Sequence, residues 1–216
     1  MIRENVKRIL KEIPPQIILE AATKSRSILE IEEAIQAGIK VVGENYVKEA
    51  EEKIKVIGDK VSWHLIGHLQ KNKVKKAVRI FNMIETLDSL ELAHLLNKEC
   101  QKVGKIMPVL IEINIAKENQ KTGLYPEEVK NLVKEVIKLK NIKLEGLMTM
   151  GPLSKSAQEL RMYFKKTKEI FETLKCLYKN VEWKYLSMGM SSSYKIAIEE
   201  GANIIRVGTA IFGERI

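Results

Sequence analysis

Cysteine is nearly missing from this chain. Cys100 and Cys176 are the only two among 216 residues, and each sits inside a helical pattern. A disulfide-stapled scaffold is therefore excluded, and a reducing cytoplasm is the expected setting. No Pro-, Gly- or Ser-rich stretch divides the sequence, so residues 1–216 read as one domain. No apolar run reaches membrane-spanning length. The start, Met1-Ile2-Arg3-Glu4-Asn5-Val6-Lys7-Arg8, is charged throughout and lacks the apolar core of a secretion signal. A Ser-His-Asp constellation is absent, and no carboxylates are paired for glycosidic chemistry. His64 and His68 fall on a strand and its following loop with no third ligand evident, so no metal site is expected.

What remains is a globular composition. Hydrophobic residues make up 45% of the chain, and the formal charge is +9. A basic balance can signal nucleic acid. Here the lysines are spread over nearly every helical segment with glutamates between them, so a solvated surface is expected and nucleic acid is not. One cluster stands out: Lys71, Lys73, Lys75, Lys76 and Arg79. It reads as an exposed helix face, with an anion or acidic partner as the alternative.

Helical and strand patterns alternate along the whole chain. The spacing predicts strands over 17–22, 40–42, 61–66, 82–85, 107–113, 142–147, 182–186 and 203–207. A helical segment follows each, and an extra helix over 2–12, stopped by Pro14-Pro15, precedes the first strand. Eight βα units predict an α/β fold, a TIM-type (β/α)8 barrel, with the extra helix against its outside or base. An open doubly wound sheet is the alternative. Its Gly-rich first turn is missing, because the first strand ends in Thr23-Lys24-Ser25-Arg26.

In such a barrel the functional groups stand at the C-terminal ends of the strands. Lining up those ends gives Lys24, Asn45, His64, Thr86, Asn114, Met148, Ser187 with Met188 and Ser191, and Arg206 with Gly208 and Thr209. The last two junctions, Ser187–Ser193 and Arg206–Thr209, supply glycines, hydroxyls and free backbone N–H groups, which suit a phosphate. Lys24 has two readings from position alone. It is either a desolvated, nucleophilic amine in the barrel mouth or a lysine reaching past the strand end into solvent.

Several segments, taken together, carry a family resemblance. They are Ala21-Ala22-Thr23-Lys24-Ser25-Arg26-Ser27, Gly43-Glu44-Asn45-Tyr46-Val47-Lys48-Glu49, His64-Leu65-Ile66-Gly67-His68-Leu69-Gln70, Gly146-Leu147-Met148-Thr149-Met150, Leu186-Ser187-Met188-Gly189-Met190-Ser191 and Val207-Gly208-Thr209-Ala210-Ile211-Phe212-Gly213-Glu214-Arg215. The chain resembles the pyridoxal 5′-phosphate homeostasis proteins, a family related in fold to the alanine racemase N-terminal domain. The resemblance implies pyridoxal 5′-phosphate as cofactor, held as a Schiff base on Lys24. It implies phosphate ligands at Ser191, Gly208 and Thr209, with Ser187 a further candidate. Arg206 is expected to face the pyridine nitrogen, and Met188 and Asn45 to flank the ring and its hydroxyl.

Two departures from the family pattern stand out. Ser192-Ser193 replaces an acidic residue and is expected to change the helix start, with serine as cap. Glu20 replaces an apolar residue on the strand face of Lys24; if it points inward it needs a basic partner. The functional expectation is a monomeric cytoplasmic carrier in vitamin B6 and amino-acid homeostasis, without robust catalysis. Its partners are the cofactor and, as candidates, the apoenzymes that use it; no membrane partner is expected. An amino-acid racemase is the alternative, for which the chain is expected to lack the second β domain. A phosphosugar aldolase is a third reading.

Overall fold

Eight parallel strands close into a barrel in sequence order, β1-β2-β3-β4-β5-β6-β7-β8. The computed structural model describes residues 1–152 and 156–214; Arg215, the last residue of the final motif, and Ile216 lie outside them. The strands are β1 (Ile18–Ala22), β2 (Val41–Glu44), β3 (Ser62–Leu65), β4 (Met83–Leu87), β5 (Met107–Glu112), β6 (Ile142–Met148), β7 (Tyr185–Ser187) and β8 (Ile204–Val207). Around them run α1 (Ile2–Glu12), α2 (Ile28–Gln36), α3 (Val47–Ile57), α4 (Val74–Ile80), α5 (Leu90–Lys102), α6 (Val129–Val136), α7 (Ala157–Leu177), α8 (Tyr194–Glu199) and α9 (Thr209–Phe212). The expected barrel is thus the observed one. No described helix is long and apolar enough to cross a membrane.

Local chemistry explains the elements. Ser27 caps α2 with a capping box, its hydroxyl accepting from the Glu30 N–H while the Glu30 carboxylate takes the Ser27 N–H. Helix α1 lies on the outside, where the Asn5 amide donates to the Ile211 carbonyl and the Tyr194 hydroxyl donates to Glu12. Two boundaries move. The helix expected to start near Pro126 begins at Val129, after turns over 126–128. Strand β7 begins only at Tyr185, because Trp183 turns away to stack edge-on against Phe171 at 5.6 Å. The two cysteines are free, Cys100 buried and Cys176 exposed.

The barrel interior has two unlike layers. Side chains two residues apart on a strand share a face. Ile18, Met83, Leu110, Met148 and Ile204 pack together as an apolar plug. Two residues further along the same strands stand Glu20, Glu85, Glu112 and Arg206, all buried. The plug seals the base, and the layer above it, next to the mouth, is ionic.

Candidate functional site

Lys24 sits two residues beyond β1, in a turn in which Arg26 N–H bonds the Thr23 carbonyl and Ser25 takes φ 61°. It is therefore not on the strand, as alternation from Ala22 had suggested. Its half-buried side chain places Nζ 5.0 Å from the centroid of the Tyr46 ring. The turn is braced from behind by buried Lys53 on α3. Lys53 Nζ donates to the Thr23 carbonyl at 2.7 Å, to Glu44 at 2.6 Å and to Glu49 at 2.7 Å. Glu49 in turn accepts the Ser25 N–H at 2.6 Å. Burial pushes the Glu44 carboxyl above its usual range, with Lys53 and Thr23 opposing.

The β7 and β8 turns meet beside it. Strand β8 pairs with β1, with Val207 opposite Ala21, so Gly208 emerges next to the Lys24 turn. A Cβ on Gly208 would come to 3.3 Å from the Ala22 carbonyl oxygen, which explains a glycine where two backbones approach. Ser191 Oγ accepts the Gly208 N–H at 3.1 Å and the Ala210 N–H at 3.2 Å. Arg26 closes the third side by donating to the Phe212 and Gly213 carbonyls. Asn45, just past β2, lines a cleft of about 380 Å³ with Tyr46, Gly67, His68 and Lys73.

Three candidates from the sequence sit differently. Ser187 is fully buried below the rim. It donates to Glu85 Oε2 at 2.6 Å and accepts from Arg206 Nη1 at 2.5 Å. Met188 is fully buried in the main core, and the Met150 sulfur lies 3.6 Å from Arg206 Nη2. Ser193 is the first flanking residue of α8, but its hydroxyl accepts from the Met190 N–H instead of capping the helix. The serine pair thus folds the turn back on itself.

Arg206 is held in the ionic layer by Ser187 and by the Thr149 carbonyl at 2.7 Å. Glu20 points inward as its pattern implied. His64 is the basic residue beside it, with Nδ1 3.3 Å from Glu20 Oε1 and 2.9 Å from Glu85 Oε1. Burial and the Glu85 charge raise the Glu20 carboxyl to about 7, against His64 and Arg206. Burial depresses His64, but the two carboxylates outweigh it and push the imidazole up to about 10. Burial also acts to raise Glu85, yet its bond to His64 and the His64 and Arg206 charges hold it below its usual range. Glu85 was missed from the sequence. Its signal was a carboxylate in a strand, β4, that is buried at every position.

The family model for the alanine racemase N-terminal domain matches residues 1–216. A pyridoxal phosphate homeostasis protein of Aquifex aeolicus is 39% identical over 98% of this chain and 89% of its own length. That of Haemophilus influenzae is also 39% identical, over 91% of this chain and 84% of the relative. The chain belongs to the pyridoxal phosphate homeostasis protein family. PipY of Synechococcus elongatus, solved with pyridoxal phosphate bound, superposes with a TM-score of 0.92 at 32% identity, covering 99% of this chain and 100% of PipY. An alanine racemase of Clostridium difficile shares the barrel alone, with a TM-score of 0.81 at 17% identity over 99% of this chain and 56% of the racemase.

Proposed function

We propose that the chain binds pyridoxal 5′-phosphate as a Schiff base on Lys24 and serves vitamin B6 and amino-acid homeostasis without robust turnover of its own. The observation that carries this reading is the meeting of the Lys24 turn with the Ser191–Gly208 turn at the β7–β8–β1 rim. Around that meeting point the residues fit the cofactor. Ser191 Oγ already accepts two N–H groups and keeps its own proton to donate to an anion. Among the described residues no carboxylate pairs with Lys24, whose amine lies 5.0 Å from the Tyr46 ring centroid. Ser191, Gly208 and Thr209 would take the phosphate. Arg206 would face the ring nitrogen, and Asn45 would flank the ring.

When bound, the cofactor supplies an aldehyde that condenses with amines and a ring that accepts electron density. Arg206 stays charged and holds no proton to share with a ring nitrogen, so it weakens that acceptance. A carrier gains from this arrangement because carbanion chemistry is suppressed. The reading takes the protein as a cytoplasmic monomer whose partners are the cofactor and, as candidates, the apoenzymes that use it. The test is the absorbance spectrum of the purified protein before and after borohydride reduction, followed by peptide mapping. Label on the Lys24 peptide supports the reading, and label elsewhere overturns it. Assay of D/L-alanine interconversion separates a carrier from a racemase.

A further inference from the structure

We infer that Glu20, His64 and Glu85 form a binding site for one divalent first-row transition ion of the zinc class inside the barrel. The three come from β1, β3 and β4. One ligand atom from each lies within 4.8 Å of the others, and all three residues are buried. Both carboxylates converge on the same ring nitrogen, His64 Nδ1, at 2.9 and 3.3 Å. One N–H cannot serve two carboxylates well. Ligands about 2.1 Å from a common ion lie roughly 3.0 Å apart in an octahedron and about 3.4 Å apart in a tetrahedron. Of the two observed edges, 3.3 Å falls between these values and 2.9 Å lies 0.1 Å below the octahedral one.

Glu20 is the independent observation. It is fully buried, and neither of its carboxylate oxygens has a hydrogen-bond partner among the described residues. Its cationic neighbour is the His64 ring at 3.3 Å, whose Nδ1 is closer to Glu85 at 2.9 Å, so the carboxylate carries a proton, shares that one cation, or meets a second. The fold makes room for it. Gly43 on β2 lies between the ligand strands, and a Cβ there would stand 2.8 Å from Glu20 Oε1. Glu85 is oriented as a metal-bound carboxylate usually is. Its second oxygen is fixed by the Ser187 hydroxyl at 2.6 Å.

The donor set decides the class of ion. One imidazole and two carboxylates suit zinc, cobalt, manganese or iron, whereas magnesium and calcium prefer oxygen alone. The ion replaces the proton on His64 Nδ1, which leaves to solvent. Two carboxylates and a neutral imidazole then balance its two positive charges. Arg206 is not a ligand and reaches Glu85 only through Ser187. Water completes the coordination, since three protein ligands leave at least one position open.

The test uses the full chain after dialysis against a chelator, with Zn²⁺ or Co²⁺ as probe. The wild type should retain about one ion per chain after gel filtration. At about 100 times Kd its melting temperature should rise by several degrees. Glu20→Leu should lose both effects while keeping the circular dichroism of the metal-free wild type. Glu20→Gln, closer in shape, should weaken them. An imidazolium shared between two carboxylates predicts no uptake at all. Failure to retain an ion, or equal retention by Glu20→Leu, overturns the site. Neither result bears on the Lys24 cofactor reading, which is scored by absorbance.

Discussion

Lys24 and Lys53 stand on either side of one turn and could hardly be more different. Lys53 is buried and spends its three donors on Thr23, Glu44 and Glu49. Lys24 is half-exposed and leans on an aromatic face. Both are lysines, but the fold gives them opposite work. The first is a cation whose charge is consumed by structure. The second is an amine left available, on a turn that the first one fixes. A reactive group benefits from being placed by a neighbour rather than by its own bonds.

The sharpest way to break this contrast is to exchange the losses. Lys24→Ala should abolish the cofactor absorbance band and the borohydride-stable label completely. The melting temperature should stay within about a degree, because the lysine is partly exposed and anchors nothing. Lys53→Ala should do the reverse. It leaves Glu44 buried without its cation, which costs about 3–5 kcal/mol. For a chain of this size that corresponds to roughly 6–20 °C in melting temperature. An intact band in Lys24→Ala, or an unchanged melt in Lys53→Ala, would reverse the assignment of the two roles.

Glu112 extends the contrast to carboxylates. Glu44 has a cation, whereas Glu112 has only the Thr122 hydroxyl at 2.9 Å, and its Oε2 has no partner among the described residues. Burial raises its carboxyl from 4.5 to about 7. A folded-state pKa above the unfolded value means that the native chain binds the extra proton. The associated stability is full below about pH 4.5 and is lost as pH rises through about 7. Glu112→Gln keeps the shape without the charge. It should match wild type near pH 5 and exceed it above pH 8 by up to about 3 kcal/mol, measured by urea unfolding at both values. Identical pH profiles for the two proteins would show that Glu112 is ionised at no cost.

How much of this was legible beforehand depends on what each signal measures. Alternating periodicity gave eight strands in order, because a parallel barrel repeats one unit and each unit carries its own pattern. Ends were less legible. Pro126 satisfies a helix start, but the chain turns there first, since proline fixes one φ and says nothing about the next three residues. Lys24 was found by position and resemblance together. The resemblance makes Ser187 a further candidate for the phosphate; its bond to Arg206 joins it to a residue 19 positions away. The Glu85 contact with Ser187 spans 102 positions. Such pairings exist only after the barrel closes, so no local pattern contains them.

The smallest effect tests the same idea on hydroxyls. Ser191 is partnered, accepting from Gly208 and Ala210, while Thr209 is exposed as the first residue of α9. If both meet the cofactor phosphate, each contributes a charge-assisted hydrogen bond of about 1.5–3 kcal/mol. Ser191 also ties the two turns together, so its loss should be felt twice. Ser191→Ala should weaken retention of pyridoxal phosphate by roughly one to two orders of magnitude and also loosen α9. Thr209→Ala should fall at or below the lower end of that range and leave the melt unchanged. Release rates into a cofactor trap, read beside thermal melts, separate the two. Equal retention in both variants and wild type would move the phosphate away from the β7–β8 turns. A larger loss from Thr209→Ala than from Ser191→Ala would mean that the exposed hydroxyl, not the partnered one, carries the anion.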